Sequence, residues 1–295
     1  MKKMLALMVM ALIIALSASF ILPRQSLAAG ITWKVLASWP KGYPEIDEFL
    51  LGWAKHIEKA TDGRLVPKWM GGPEVVHPFE QLKAVQRGLC DVLFTHPAYH
   101  PEVVSAGQAS DLFYASAKER GESGWTKLMA DLYKTRAGVM YLNPFPSGMP
   151  YQLYLNKEIN KADLTSLKIR ATPFYRPLVE GLGGATVQLP TGEIYTGMQR
   201  GVIDGFCSPG VYPIKLKLYE VTKYAILPGF GEVTWINLVH LASWDKLDQD
   251  LKEVVENATI EFEEKMRPVF KEYWENEKRE IVKSGINNQV FDNVL

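Results

Sequence analysis

The chain has 295 residues, 47% of them apolar and 22% charged, which is enough to bury one large core or two of ordinary size. Lysine plus arginine equals aspartate plus glutamate, 33 against 33, and this excludes both a global basic field for nucleic acid and an acidic solvating tail. Any partner must therefore be recognised at a local site.

The first segment carries Lys2 and Lys3, an apolar run from Met4 to Leu22, and then the small residues Ser26, Ala28 and Ala29. That is the layout of a cleaved secretory signal over residues 1–29, with a mature start near Ala29 or Gly30. The run approaches the ~20 residues of a membrane span. Ser17, Ser19 and the Pro23 break favour cleavage over an uncleaved anchor.

"ITWKVLASWP" alternates Ile31, Trp33, Val35 and Ala37 on one side and predicts a strand ending at Pro40. Ile46, Phe49, Leu50, Trp53, Ile57 and Ala60 then recur at helical spacing up to Asp62-Gly63, and "LVPKWM" predicts a second strand. Next comes "EQLKAVQRGLCDV" (80–92), which returns as "EIYTGMQRGVIDG" (193–205). Five positions agree at a constant offset of 113: Glu80/Glu193, Gln86/Gln199, Arg87/Arg200, Gly88/Gly201 and Asp91/Asp204. Each copy predicts a short helix, with Leu82, Val85 and Leu89 on one face of the first and Ile194, Met198 and Val202 on one face of the second. The glycine then allows a left-handed residue, and the aspartate opens a core strand, "VLFT" or "GFCS". Two copies this far apart suit two similar α/β lobes.

Between the copies, 138–145, 150–156 and 167–172 are strand-like, "PFYRPLVEGLGG" is a helix closed by Gly183-Gly184, and "ATVQLP" is a strand. Residues 233–243 predict another strand, and the charged stretch from Trp244 onward is helical, with Pro268 as a candidate kink. Alternating strands and helices imply largely parallel sheets covered on both faces, which bind ligands at the carboxyl ends of their strands. The expected division is a lobe over 30–150 with a return of the chain at about 236–265, a second lobe over 151–235, and a bridging helical segment over 244–284.

Enzyme signatures are sparse. "GLGGAT" ends a helix and precedes a strand, the reverse of a dinucleotide loop, and there is no G-x-S-x-G elbow, P-loop or C-x-x-C pair. His96 and His100, four apart with Glu102 nearby, offer a metal reading, but Pro97 and Pro101 make the stretch a rim loop. Cys90 and Cys207 lie at non-equivalent positions of the repeat and are expected to be free, buried thiols.

Arg170 is the residue that carries most chemistry. It ends a short apolar strand just before "ATPFY" opens a helix, and its planar fork matches a carboxylate bidentately. Trp39, Tyr99, Tyr212 and Trp235 stand at or within strand ends and supply candidate apolar walls, with Thr95, Phe174, Ser208 and Asn237 completing the candidate set.

"EKATDGR", "EQLKAVQRGLCDV", "DLTSLKIRATP", "GLGGATVQLP", "EIYTGMQRGVIDG" and "SWDKLDQDLKEVV" together resemble, in order and spacing, the solute-binding proteins of TRAP (tripartite ATP-independent periplasmic) transporters, from about Trp33 to about Gly285. The resemblance implies an α/β, two-lobed, Venus-flytrap binding protein with mostly parallel sheets flanked by helices and a long C-terminal helix crossing both lobes. It implies no catalysis and no cofactor: the protein would capture a small organic acid and deliver it to TRAP-type integral membrane permease subunits. The arginine of the family's "KIR" motif, which forms the ligand-carboxylate salt bridge, is Arg170 here, and Arg87 and Arg200 become repeat scaffold.

Two departures stand out. Ser208-Pro209 replaces a frequent Asn-Pro, with Cys207 where a glutamate often precedes it, and Gly148-Met149-Pro150 lies where many members carry a second arginine. Both remove polar or charged groups and point away from a C4-dicarboxylate, toward a monocarboxylate with an apolar or aromatic body. The alternatives are a secreted α/β enzyme using the same cleft and a metal-binding protein at His96 and His100.

Overall fold

The computed structural model describes residues 30–209 and 212–291, so the secretory signal expected over 1–29 lies outside the described residues. The chain lays down β1 (Ile31–Ala37), β2 (Leu65–Gly71), β3 (Val92–Thr95) and β4 (Val139–Pro146), then crosses to β5 (Tyr151–Leu155), β6 (Lys168–Arg170), β7 (Ala185–Val187), β8 (Gly205–Pro209) and β9 (Tyr224–Phe230). It returns in β10 (Thr234–His240) and ends in β11 (Asn287–Val290). Two sheets result, in the orders β2-β1-β3-β10-β4 and β11-β9-β5-β8-β6-β7.

These sheets are mixed, with five of their nine strand pairings among the described residues parallel, β11 with β9 included. The β1 pairings with β2 and β3, and the β6 pairings with β7 and β8, are parallel, as helix crossovers require. The strands that carry the chain between sheets run the other way: β10 is antiparallel to β3 and β4, and β5 is antiparallel to β8 and β9. The crossing segments are tied together by Ser147 N–H to the Val233 carbonyl (2.9 Å) and Val233 N–H to the Met149 carbonyl (3.0 Å). Gly148 and Gly231, with φ of 68° and 57°, take the left-handed turns there.

The repeat is a scaffold device, and its two copies match bond for bond. Leu89 N–H reaches the Ala84 carbonyl (3.0 Å) and Gly88 N–H the Val85 carbonyl (3.1 Å); Val202 and Gly201 do the same with Gly197 (2.9 Å) and Met198 (3.1 Å). Both are Schellman endings, with Gly88 and Gly201 at φ 72° and 68°. Asp91 then exchanges hydrogen bonds with Lys34 of β1, its Oδ2 accepting the Lys34 N–H at 2.7 Å and its N–H donating to the Lys34 carbonyl at 2.8 Å. Asp204 does so with Lys168 of β6, at 3.0 and 2.7 Å. The aspartate thus pins the helix ending onto the neighbouring parallel strand.

Arg87 and Arg200 have no part in this. Both are exposed and, among the described residues, neither makes a side-chain hydrogen bond or ion pair, because the left-handed glycine aims the end of the helix at solvent. The same turn swings Leu89 and Val202 out of the apolar face that helical spacing assigns them, leaving each 46% exposed.

The helix after β1 starts as a π-helical stretch, Glu45–Leu50, before the regular Leu51–Ala60. Two helices, Ala117–Glu122 and Trp125–Leu132, fill a region with no clear periodic signal, the first closed by a Ser116/Glu119 capping box. The strand expected to run to 243 stops at His240 and becomes the helix Leu241–Asp245. The long helix Gln249–Lys283 is capped by Asp248 and continues through Pro268. It packs against the first sheet's Leu51–Ala60 helix and β4, and against the second sheet's Tyr212–Lys215 helix, so it spans both lobes. One apolar cluster joins Trp33, Phe49 and Trp235 to Tyr154, Phe206 and Phe270 across the lobes, and a second lies on the other face of the first sheet around Leu36, Tyr133 and Tyr141. Among the described residues no helix is long and apolar enough to cross a membrane.

Candidate functional site

Strand β6 is three residues long and alternates Ile169 into the core and Arg170 to the opposite face. Pairing with β7 and β8 fixes Arg170 beside Val187 and Phe206, at the carboxyl end of the parallel part of the second sheet. Its side chain is buried, 3% exposed, and held by four contacts. Nε donates to the Leu189 carbonyl (2.9 Å), Nη1 to the Tyr175 hydroxyl (2.5 Å) and the Cys207 carbonyl (3.4 Å), and Nη2 to Thr191 Oγ1 (3.3 Å).

No carboxylate lies within ion-pair distance of Arg170 among the described residues, which contrasts with the other deeply buried arginine. Arg120 Nη2 meets Glu263 Oε2 at 2.5 Å, both side chains being about 2% exposed. A guanidinium keeps its charge inside a protein, and a buried charge without a counter-charge is costly. Arg170 is thus oriented by neutral oxygens and leaves its charge uncompensated.

It faces a cavity of about 30 Å³ between the lobes. Trp39, Tyr99 and Trp235 wall it from the first sheet's side, and Tyr151, Tyr175 and Tyr212 from the second's; Thr172, Thr191 and His96 add polar groups. Trp39 and Tyr99 pack edge-on, with centroids 5.8 Å apart. The Thr172 hydroxyl and the Trp235 indole N–H are buried without partners among the described residues. The cavity is about the volume of one water molecule, so an organic acid enters only if the lobes part or the rings move.

Of the residues singled out in the sequence, Arg170, Trp39, Tyr99, Tyr212 and Trp235 meet in this cavity. The other four sit behind it. Thr95 shares a hydroxyl contact with Ser38 (2.7 Å), Ser208 donates to the Pro209 carbonyl (3.2 Å), and Phe174 packs at a tilt behind Tyr151 with centroids 5.3 Å apart. Asn237 is fully buried in β10, opposite Phe94 and Asn143. Strand alternation turns Thr95 to the face opposite Phe94, whereas Asn237 shares the face of Trp235 but lies two residues deeper in β10, so its depth along the strand keeps it from the cavity.

Sequence reasoning missed Thr172, Tyr175 and Thr191, although "RATPFY" carries the first two within five residues of Arg170. It also missed Tyr151, which joins His96 to Asp111: the tyrosine hydroxyl donates to Asp111 Oδ2 (3.1 Å) and lies 3.0 Å from His96 Nε2. His96 Nδ1 accepts the Ala98 N–H (3.1 Å), so its proton is on Nε2 and points to Asp111, 2.9 Å away. His100 pairs instead with the Tyr133 hydroxyl (3.1 Å), and burial, helped by His96, pushes its pKa down to about 3. The two histidines thus serve different partners. Among the described residues no group of three His, Cys, Asp or Glu side chains is placed to hold a metal ion. Cys90 and Cys207 are free and buried, in separate apolar clusters.

Comparison with known proteins gives this arrangement a context. The model of the family described as "Bacterial extracellular solute-binding protein, family 7" matches residues 37–293. A monocarboxylate 2-oxoacid-binding periplasmic protein from Nostoc sp. is 29% identical over 248 residues, 78% of this chain and 66% of that protein. An ectoine/5-hydroxyectoine-binding periplasmic protein from Ruegeria pomeroyi is 28% identical over 46% of this chain and 41% of its own length, so the matched region spans less than two thirds of these curated relatives. Among solved structures, a TRAP periplasmic solute-binding protein from Desulfovibrio salexigens with bound orotic acid has a TM-score of 0.79 at 20% identity, covering 88% of this chain and 86% of that one. That likeness shows a shared two-lobed fold. Because the family model extends over nearly all of the described residues, the chain belongs to the bacterial extracellular solute-binding proteins of family 7.

Proposed function

We propose that this protein is a periplasmic, non-catalytic binding protein that captures an organic monocarboxylate with an apolar or aromatic body and delivers it to the membrane permease of a TRAP transporter. The observation that carries the reading is Arg170, a buried guanidinium fixed by neutral oxygens, without a carboxylate partner among the described residues, at a cavity walled by six aromatic rings. A carboxylate guest supplies the missing charge, bonding to the one N–H that the four contacts leave free and gaining a second bond where a longer contact, to Thr191 (3.3 Å) or the Cys207 carbonyl (3.4 Å), gives way, and the rings bury its body. The Thr172 hydroxyl and Trp235 N–H offer a further polar contact, which suits a guest with one oxygen beyond its carboxylate. Family membership and the Nostoc relative support the same class of ligand and compartment.

The decisive experiment is mass spectrometry of the small molecule released when the purified protein is denatured, followed by calorimetric titration with that acid. A monocarboxylate that binds with one-to-one stoichiometry and is returned unchanged is the expected result. A released molecule without a carboxylate, or turnover of it, overturns the reading. The periplasmic destination is checked by sequencing the N-terminus of protein recovered from the periplasm, which should begin within a few residues of Ala29.

A further inference from the structure

We infer that Glu45, in its protonated form, is a positioning residue that holds Tyr212 across the cleft and so couples closure of the lobes to uptake of a proton. This rests on the reading of the cavity as the ligand cleft. Glu45 belongs to the first sheet's lobe, at the start of the π-helical stretch after β1, and it is fully buried. Tyr212 opens a short helix after β8 in the other lobe and lines the cavity that Arg170 faces. The Tyr212 hydroxyl donates to Glu45 Oε1, while Oε2 is buried without a partner among the described residues. Tyr43, two residues before Glu45, packs edge-on against Tyr212 with centroids 5.7 Å apart. A direct side-chain bond therefore joins the lobes at the edge of the cleft, and one of its members is an ionisable group.

An ionised carboxylate in that position has one hydroxyl donor, its own backbone N–H and no cation, which compensates little of the lost hydration. The groups around it add no positive charge. Tyr43 and Asp47 come from its own element, Tyr212 from the facing helix, and Tyr99 from the loop after β3; Asp47 disfavours the anion further. Arg170 acts on Tyr43, Tyr99 and Tyr212 and forms no ion pair with Glu45 among the described residues. Burial accordingly lifts the Glu45 pKa from 4.5 to about 7, against the opposing pull of the Tyr212 hydrogen bond.

When the lobes part, Glu45 meets water and returns to its ordinary range. The closed state then holds the proton more tightly than the open one. Below about pH 4.5 both states are protonated and closure is at its most favourable; between about 4.5 and 7 the open state ionises first and closure weakens by at most about tenfold per pH unit. Above about 7 both are ionised and the dependence ends. Glu45 therefore sets a pH range in which the cleft closes, independently of the carboxylate anchor.

The test measures closure without relying on the identity of the ligand. Spin labels on cysteines replacing the exposed Lys68 and Glu180, one in each lobe, report the inter-lobe distance by pulsed electron resonance. In the full protein the open-to-closed ratio should rise by roughly fortyfold between about pH 5 and pH 7 and level off above, after about a further twofold. Glu45→Gln, neutral at every pH, should keep the acid-form ratio throughout, and Tyr212→Phe should lower the closed fraction several-fold at acid pH. A ratio that does not change with pH, a Glu45→Gln variant that titrates like the parent, or a Tyr212→Phe variant that closes normally overturns the inference. Arg170→Ala in the same series separates the two readings, since losing the anchor abolishes capture of the acid but leaves the pH response of closure in place.

Discussion

Tyr175 stands between Arg170 and Cys207: its hydroxyl accepts from Arg170 Nη1 at 2.5 Å and donates its own proton to the Cys207 carbonyl at 2.8 Å. The guanidinium of β6 is thereby tied to the backbone of β8 through a ring that also forms part of the cavity wall. Burial pushes the Tyr175 pKa up to about 12, with the Arg170 charge acting in the opposite direction, so the hydroxyl remains intact and the relay holds at neutral pH. An anchor fixed in this way presents its remaining Nη2 N–H to a guest with little ordering left to do.

Arg170→Ala should leave the fold intact and weaken binding of the released acid by about 2–5 kcal/mol, the range for truncating one side of a buried charge pair. Arg170→Lys should recover part of the loss, since an ammonium keeps the charge without the fork. Arg87→Ala and Arg200→Ala, both exposed, should change neither affinity nor stability by more than about 0.5 kcal/mol. Calorimetric titration decides: near-parental affinity in Arg170→Ala removes it as the anchor.

Tyr175→Phe keeps the ring but deletes the relay, leaving Arg170 with Leu189, Thr191 and its long direct contact to the Cys207 carbonyl (3.4 Å). Affinity should fall by about 1.5–3 kcal/mol, the value of a hydrogen bond to a charged group. The same titration checks it, and an unchanged constant would mean that the other contacts alone orient Arg170.

Glu263 tests stability apart from binding. It sits on the long helix and accepts from Arg120 (2.5 Å), Asn143 (2.8 Å) and Arg267 (3.2 Å), joining that helix to β4 and to the Ala117–Glu122 helix. Glu263→Ala leaves Arg120 buried and unpaired, and should cost about 3–5 kcal/mol of stability in urea unfolding. Binding by the folded fraction should be unaffected.

Both cysteines should be silent in the folded protein. Burial pushes each thiol up to about 12; Asp91 adds to this at Cys90, and Arg170 opposes it at Cys207. The thiolate, which is the reactive form, is therefore scarce at neutral pH. A maleimide should label neither residue in native protein and both in denaturant, as read by intact mass; rapid native labelling of Cys207 would show that the cleft opens further than the ring packing implies.

Much of this molecule was determined by the sequence alone, because the relevant physics is local. A glycine after a short helix and an aspartate three residues later carry the whole of the repeat: Gly88 and Gly201 make the left-handed turn, Asp91 and Asp204 catch the next strand, and each acts within a few residues of chain. The same is true of Arg170, whose place at a strand end follows from the pattern of β6. Other features were decided only by the tertiary structure. Arg87 and Arg200 share the repeat yet face solvent, since helix direction past the glycine depends on what the helix packs against. Thr95 sits at the right end of β3 but turns away from the cavity, because a side chain's face is set by the neighbouring strands, and Asn237 lies in the middle of β10, two residues deeper than Trp235. Glu45 and Tyr212 are 167 positions apart and gain their meaning only when the lobes meet. Spacing along the chain encodes turns, caps and strand ends; the cavity and its proton depend on strand order and lobe closure, which come from burial of apolar surface between distant segments and leave no local pattern to read.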